Sequence, residues 1–343
     1  MDLAFTHPEP TPRRSSVWPV FLPFAGCPYR CVYCAQDRQT GQGEPGLEAA
    51  YQTAAKELEH AAAAGRGPYE LAFYGGTFTA LPEEWQTRFM ALAAWFRAQR
   101  LVTRVRCSTR PDCVDLPGLE RLREAGLDLV ELGIQSFNDE ALRVASRGYG
   151  GDIARRACGL VREAGLGLGI QLMPGLPGDR SGVFETDVRE AAGFAPELAR
   201  LYPCLVIEGT GLVEVWRQGG FIPWTLDRAK EALGAALPVL WEKGIRVIRL
   251  GLAPEGTLEE SILAGPWHPA LGQSARGLAL LSIVRGKIAG LDNDPISIFE
   301  VPRRYQGELF GHGNELVAEY GRLGITKAAV RYVDGPEFRL VWE

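Results

Sequence analysis

Short apolar runs alternate with amphipathic stretches from residue 17 to about residue 249, the pattern of repeated strand-helix units around a parallel sheet. Residues 17–23, 70–74, 105–109, 129–133, 168–172 and 200–206 read as buried strands. Residues 47–64, 83–99, 152–164, 181–194 and 227–241 space their apolar positions as helices do. Six such units predict a partial (β/α)6 barrel of the TIM type rather than a closed eight-fold one. In that class the chemistry sits at the strand ends and in the loops that follow them.

Past Gly244 the pattern changes. Residues 245–252 are strand-like, 258–263 and 268–287 helical, and Gly290-Leu-Asp-Asn-Asp-Pro295 reads as a linker. Residues 296–301, 303–309, 315–323, 327–333 and 338–342 then follow as strand, helix, helix, strand and strand. The predicted architecture is α/β: a tail (1–16), the partial barrel (17–250), a helical extension (251–290) and a small α+β module (291–343).

Of the 343 residues 46% are apolar and 23% charged, which excludes a largely disordered chain. Asp2, Glu9, Arg13 and Arg14 argue against a signal peptide. The longest charge-free stretches, 17–29 and 165–178, are short and broken by Pro or Gly, so no membrane span is expected. A cytoplasmic setting follows, where seven cysteines serve metal binding or chemistry more readily than disulfides. The net charge of −5 speaks against a globally basic nucleic-acid binder while leaving room for a local patch. Four histidines make a His-rich metal site a poor choice.

Cys27-Pro-Tyr-Arg-Cys31-Val-Tyr-Cys34 sets three thiols within eight residues, directly after the first predicted strand. Structural zinc normally closes four ligands, and no nearby His or Cys supplies a fourth. Three thiolates on an iron-sulfur cubane leave one iron open to a substrate or cosubstrate. At these residues the sequence resembles the radical S-adenosylmethionine superfamily. The resemblance implies a 4Fe-4S cluster on Cys27, Cys31 and Cys34, S-adenosylmethionine chelated by the open iron, and Tyr33 near its adenine.

Further stretches follow in order at predicted strand ends. Gly75-Gly76-Thr77-Phe78 stands where the family has a Gly-Gly loop for the cosubstrate's amino group. Ser108-Thr-Arg110-Pro-Asp112, Val130-Glu131-Leu-Gly133-Ile-Gln135-Ser136, Ser146-Arg147-Gly148, Leu172-Met173-Pro174-Gly-Leu-Pro177-Gly178, Leu201-Tyr-Pro203 and Glu208-Gly209-Thr210 continue the series. Together they resemble the radical domain of the Elongator catalytic subunit and its bacterial relatives. By position the resemblance implies cosubstrate contacts at Ser108, Arg110, Gln135 and Arg147, the last through bidentate pairing with the methionine carboxylate. No acetyl-coenzyme A loop is found, so acetyl transfer is not expected. Cys107, Cys113, Cys158 and Cys204 lack ligand spacing and read as structural thiols.

In the C-terminal module, Gly311-His312-Gly313-Asn314 between two predicted helices resembles the GxxG clamp of a KH-type RNA-binding fold, with Asn for the final Gly. Arg303 and Arg304 would then meet phosphates. The alternative is a small cap on the barrel with an ordinary helix stop. His268, before a helix, reads as a turn residue.

The resemblance implies an enzyme that cleaves S-adenosylmethionine reductively to a 5'-deoxyadenosyl radical, with flavodoxin or ferredoxin as electron donor and RNA, tRNA first, as substrate. A radical enzyme acting on a small molecule of the porphyrinogen type is the alternative, sharing Gln135-Ser136-Phe137. A non-catalytic, metal-containing RNA-binding protein is the third reading. No general acid or base is assigned.

Overall fold

Seven parallel strands make the main sheet of the computed structural model, which describes residues 2–11, 16–40, 46–252, 256–290 and 296–342. In chain order the strands are β1 (Asp2–Thr6), β2 (Ser16–Phe21), β3 (Tyr69–Tyr74), β4 (Val102–Thr109), β5 (Leu129–Gln135), β6 (Gly167–Leu172), β7 (Leu198–Leu201), β8 (Val206–Ile207), β9 (Arg246–Leu250), β10 (Ile262–Ala264), β11 (Ile296–Pro302), β12 (Val330–Val333) and β13 (Glu337–Trp342). The helices are α1 (Gln36–Thr40), α2 (Leu47–Ala63), α3 (Glu83–Ala98), α4 (Leu116–Glu124), α5 (Asp139–Val144), α6 (Gly151–Glu163), α7 (Val183–Gly193), α8 (Gly211–Arg217), α9 (Leu226–Trp241), α10 (Gly256–Glu259), α11 (Leu271–Ile288) and α12 (Val317–Arg322).

The order β2-β3-β4-β5-β6-β7-β9 gives a curled partial TIM-type barrel. The strand-like stretch after Gly244, read as the start of a different pattern, is β9, the sheet's seventh strand, parallel to β7. The strand expected over 200–206 is shorter and earlier than predicted. The chain leaves the sheet at Tyr202-Pro203, and Val206–Ile207 pairs with β10 instead. The helix expected over 258–263 is accordingly a single turn followed by β10.

Period-two alternation sorts the barrel's side chains. Leu71 and Phe73, Val105 and Cys107, Val130 and Leu132, and Ile170 and Leu172 face outward into one apolar core with the helices. Helix starts are locally coded. Asp115 Oδ1 accepts from Gly118 N (2.7 Å), Asn138 Oδ1 from Ala141 N (3.0 Å) and Thr225 Oγ1 from Arg228 N (3.2 Å).

The terminal module is a four-stranded sheet of order β1-β13-β11-β12. Residues 2–6, expected in a tail, are β1, antiparallel to β13. Alternating Leu3 and Phe5 explain the difference. Phe5 stacks on Phe338 at 5.0 Å, and both join a second core with Phe299, Tyr305 and Tyr320. Helix α11 links the two cores: Ala275 and Ala279 pack into the barrel, Leu281 and Val284 into the small sheet.

The helix expected over 303–309 does not form. Arg303–Tyr305 is one 3₁₀ turn, hemmed in by Pro302 before it and Gly307 after it. Residues 291–295 of the expected linker lie outside the described residues. No helix among the described residues is long and apolar enough to cross a membrane.

Candidate functional site

The loops after β2 to β7 close over a cavity of about 640 Å³. Cys27, Cys31, Cys34, Tyr33, Gly75, Gly76, Ser108, Arg110, Gln135 and Arg147 all line it, residues brought together from four strand ends. Thr77 is the one predicted contact that does not. It is fully buried, with its Oγ1 3.3 Å from Cys27 Sγ.

The cysteine loop is fastened to the Gly-Gly loop by backbone contact. Gly76 has φ +58°, and a Cβ there would stand 2.2 Å from Ala25 O and 2.7 Å from Leu22 O. Thr77 N donates to Ala25 O (2.7 Å). Gln36 Oε1 then accepts from both Phe24 N (2.5 Å) and Gly76 N (2.8 Å), riveting the two loops. Gln36 was not found from sequence, since a lone glutamine two residues past the last cysteine carries no signal.

Two arginines converge on one sulfur. Arg147 Nη1 donates to Cys31 Sγ at 3.1 Å and Arg110 Nη1 at 3.5 Å. Arg110 is held bidentate by Asp112 at 2.9 Å through both oxygens. Arg147 is 5% exposed and also donates to Tyr33 Oη (3.2 Å), Tyr149 Oη (2.7 Å) and Gly133 O (2.5 Å). Its donors are thus occupied by the protein. Arg147, expected to pair with a methionine carboxylate, here bridges β5 and the cysteine loop.

Gln135 takes φ +70° at the end of β5, and its Oε1 accepts from Gln171 Nε2 at 3.1 Å. Tyr33 is buried, and desolvation holds its phenol well above the usual range. Burial raises the Cys27 thiol too, and with Cys31 and Cys27 nearby pushes Cys34 up to about 12.

Among the described residues no three His, Cys, Asp or Glu side chains are gathered to hold one metal ion. A cubane spreads its protein ligands over separate irons, and three soft donors on one cavity wall with guanidiniums beside Cys31 suit it.

Deeper in the barrel lies a charged layer that sequence reading missed. Glu70, Arg106, Glu131 and Arg200 face the lumen from four strands. Arg106 reaches Glu70 at 3.7 Å and Glu131 at 3.4 Å, while Arg200 Nε stands 2.8 Å from Glu131 Oε2. Gly169 makes room for this layer, since a Cβ there would meet Glu131 Cγ at 2.9 Å. A charged residue inside each of four short apolar strands was the available signal.

Cys107, Cys158 and Cys204 are buried in the apolar cores, as their lack of spacing suggested. Cys113 is half-buried. His268 Nδ1 accepts from Ala270 N at 3.0 Å, a turn contact.

The residues expected to clamp RNA lie away from the cavity. Arg303 pairs with Asp334 at 3.2 Å, and Arg304 packs on Tyr305. Gly313 and Asn314 do take left-handed conformations (φ +61° and +65°). Their loop, however, follows a 3₁₀ turn and not the first helix of a KH frame. It is tied to the barrel helices through Glu315, which accepts from Ser274 Oγ (2.5 Å) and pairs with Lys230 (2.7 Å). Gly311 packs on Leu316, and His312 lies edge-on to His268 at 5.1 Å.

Comparison with known proteins gives two family matches: the Radical SAM superfamily over residues 21–190 and the Radical_SAM C-terminal domain over residues 196–277. A tRNA uridine(34) acetyltransferase of Methanocaldococcus infernus is 31% identical over 202 residues, 52% of this chain and 38% of the relative. Elongator complex protein 3 of Homo sapiens is 29% identical over 202 residues, 52% of this chain and 37% of the relative. The chain thus spans well under two thirds of these relatives' length. Among solved structures, the archaeal Elp3 of Methanocaldococcus infernus superposes with TM-score 0.60 at 25% identity, covering 76% of this chain and 62% of that one. Coproporphyrinogen III oxidase of Escherichia coli, with TM-score 0.50 at 20% identity over 70% of this chain and 54% of that one, shares the fold.

Proposed function

The chain belongs to the radical S-adenosylmethionine superfamily, and from that premise we propose that it is a radical enzyme acting on RNA, with tRNA the leading substrate class. The observation that carries the radical reading is the convergence of Cys27, Cys31 and Cys34 with Tyr33, Gly75, Gly76, Ser108, Arg110 and Gln135 on one cavity. The RNA reading is supported by the relatives that match the barrel, named for tRNA uridine acetylation. It draws nothing from the C-terminal module.

A 4Fe-4S cluster and S-adenosylmethionine, when bound, supply one-electron reductive cleavage of the sulfonium to methionine and a 5'-deoxyadenosyl radical, the electron coming from a low-potential donor such as flavodoxin or ferredoxin. Cys27, Cys31 and Cys34 would hold the cluster. Arg147 and Arg110 orient the Cys31 sulfur by donating to it from two sides. Gln36 and Gly76 fix the loop that carries the three cysteines. Buried Tyr33 gives a flat, dry wall against which an adenine can lie. The barrel around them keeps water from the reacting hydrogen.

The test is anaerobic reconstitution with iron and sulfide, reduction with S-adenosylmethionine present, and chromatography of 5'-deoxyadenosine with and without a bulk tRNA pool. Nucleoside formation that rises with tRNA, with a mass change in a digested tRNA nucleoside, is the expected result. Formation that tRNA leaves unaltered overturns the RNA reading. An intact cosubstrate beside a well-formed cluster, with tRNA present, overturns the radical one.

A further inference from the structure

Six arginines line the cavity, Arg106, Arg110, Arg147, Arg200, Arg246 and Arg249, against two carboxylates, Glu70 and Glu131. Arg110 and Arg147 serve the cysteine loop, and Arg106 lies between the two glutamates. Arg200 on β7 pairs with Glu131 at 2.8 Å, and Arg249 stands on β9, the last strand of the sheet.

Its geometry depends on a bulge. Arg246 pairs in register with Leu198 and Val247 with Ala199, but Arg200 faces Arg249, with Ile248 as the extra residue. In a regular strand Arg249 would point outward with Val247. The bulge instead turns it onto the lumenal face beside Arg200, while Leu250 takes the outward place next to Leu201 and packs on the apolar core. Arg249 is accessible, and no carboxylate among the described residues stands within ion-pair distance of it.

Arg200 supplies the second half. It donates to Tyr202 Oη at 3.3 Å and to Tyr74 Oη, and its guanidinium lies 4.3 Å over the Tyr74 ring. A phenol oxygen that accepts from an arginine must send its own proton elsewhere. Both phenols line the cavity, and neither has an acceptor for that proton among the described residues. Tyr74 O–H, Tyr202 O–H and the Arg249 guanidinium are therefore donors facing one space.

We propose that Tyr74, Tyr202 and Arg249, braced by Arg200, form an oxyanion-binding site in the barrel lumen that takes a carboxylate or phosphate group carried by the substrate. This rests on the radical-enzyme reading and deepens it by naming a chemical feature of what enters the barrel. Neighbouring strands stand about 4.8 Å apart, a spacing over which donors from β7 and β9 reach two oxygens of one tetrahedral or planar anion.

The experiment is titration calorimetry on the reconstituted protein with saturating S-adenosylmethionine, using inorganic phosphate and malonate as probes and sodium chloride at matched ionic strength as control. Wild type is expected to bind at least one oxyanion. Arg249→Gln and Tyr202→Phe, which remove a donor and keep the bulk, should bind it about tenfold more weakly. Preference for phosphate assigns a phosphoester, and preference for malonate a carboxylate. Binding no better than chloride, or unchanged in both variants, overturns the site. Binding seen only without S-adenosylmethionine also overturns it, because the donors then serve the cosubstrate's own carboxylate. The 5'-deoxyadenosine assay on wild type reports the radical reading separately. Nucleoside formed without anion binding sinks this site alone, and anion binding without nucleoside under any condition sinks the radical reading alone.

Discussion

Arg147 and Cys31 are joined across the barrel mouth: the guanidinium Nη1 stands 3.1 Å from the cysteine sulfur, and every other donor of the same group is taken by Tyr33, Tyr149 or Gly133. One side chain thus ties the end of β5 to the cysteine loop. Arg147→Ala takes the donor from the Tyr33 phenol in a buried space and leaves the Gly133 carbonyl with Tyr149 as its one side-chain donor, at a cost of about 2 kcal/mol. The urea midpoint should fall with an unchanged slope. Iron retained after gel filtration should fall with it, and Arg147→Lys should restore only part of either, since an ammonium cannot reach all these acceptors.

Gly76→Ala is expected to damage the same loop from the other side. The new methyl would sit 2.2 Å from Ala25 O at φ +58°, so the backbone of one loop must move. Iron and sulfide content after reconstitution should drop severalfold. Gly193→Ala, where nothing lies within 4 Å, should reconstitute like wild type.

Replacing Cys27, Cys31 and Cys34 together by Ala should abolish both iron binding and 5'-deoxyadenosine formation. Cys113→Ala and Cys158→Ala should keep them, the latter with a stability loss of about 1 kcal/mol for its buried sulfur. Iron analysis on each variant decides it, and equal loss from both sets would refute the cluster assignment.

Two buried groups give opposing pH slopes. His7 lies among Trp241, Tyr305 and Phe338, and burial, with Arg304 and Arg276 nearby, lowers it to about 3. The unfolded chain binds that proton below about pH 6.5, so stability falls as pH drops from there toward 3. Asp187 accepts from Ser136 Oγ (2.6 Å) and Phe137 N (2.8 Å), yet burial, with Asp179 and Glu190 adding to it, raises it to about 7. Its contribution is full below about pH 4 and is lost as pH rises to 7. Urea midpoints across pH 4 to 8 should lose the acid-side slope in His7→Phe and the neutral-side slope in Asp187→Asn. Unchanged slopes in both would refute the assignment.

Much of the molecule was legible in the chain. Predicted helices over 47–64, 83–99, 152–164 and 227–241 fall within two residues of the observed ones, because apolar spacing and caps are local properties. The three thiols stand in one loop because their spacing is local too. What lies across the sheet was not legible. The placing of β1 beside β13 depends on Phe5 finding Phe338 at the far end of the chain. The helix expected over 303–309 failed against Pro302 and Gly307.

The sequence by itself determined the strand-helix order and the thiol loop, since both are written in short-range pattern, whereas the strand ends that share the cavity were named only through the family resemblance. Only the tertiary structure decided which donors are already taken. Arg147 is turned inward by Gly133 and Tyr149, and Arg249 is turned into the lumen by a one-residue bulge. Which way a side chain faces, and whether a partner awaits it there, depends on register and on neighbours far along the chain, and local pattern carries neither.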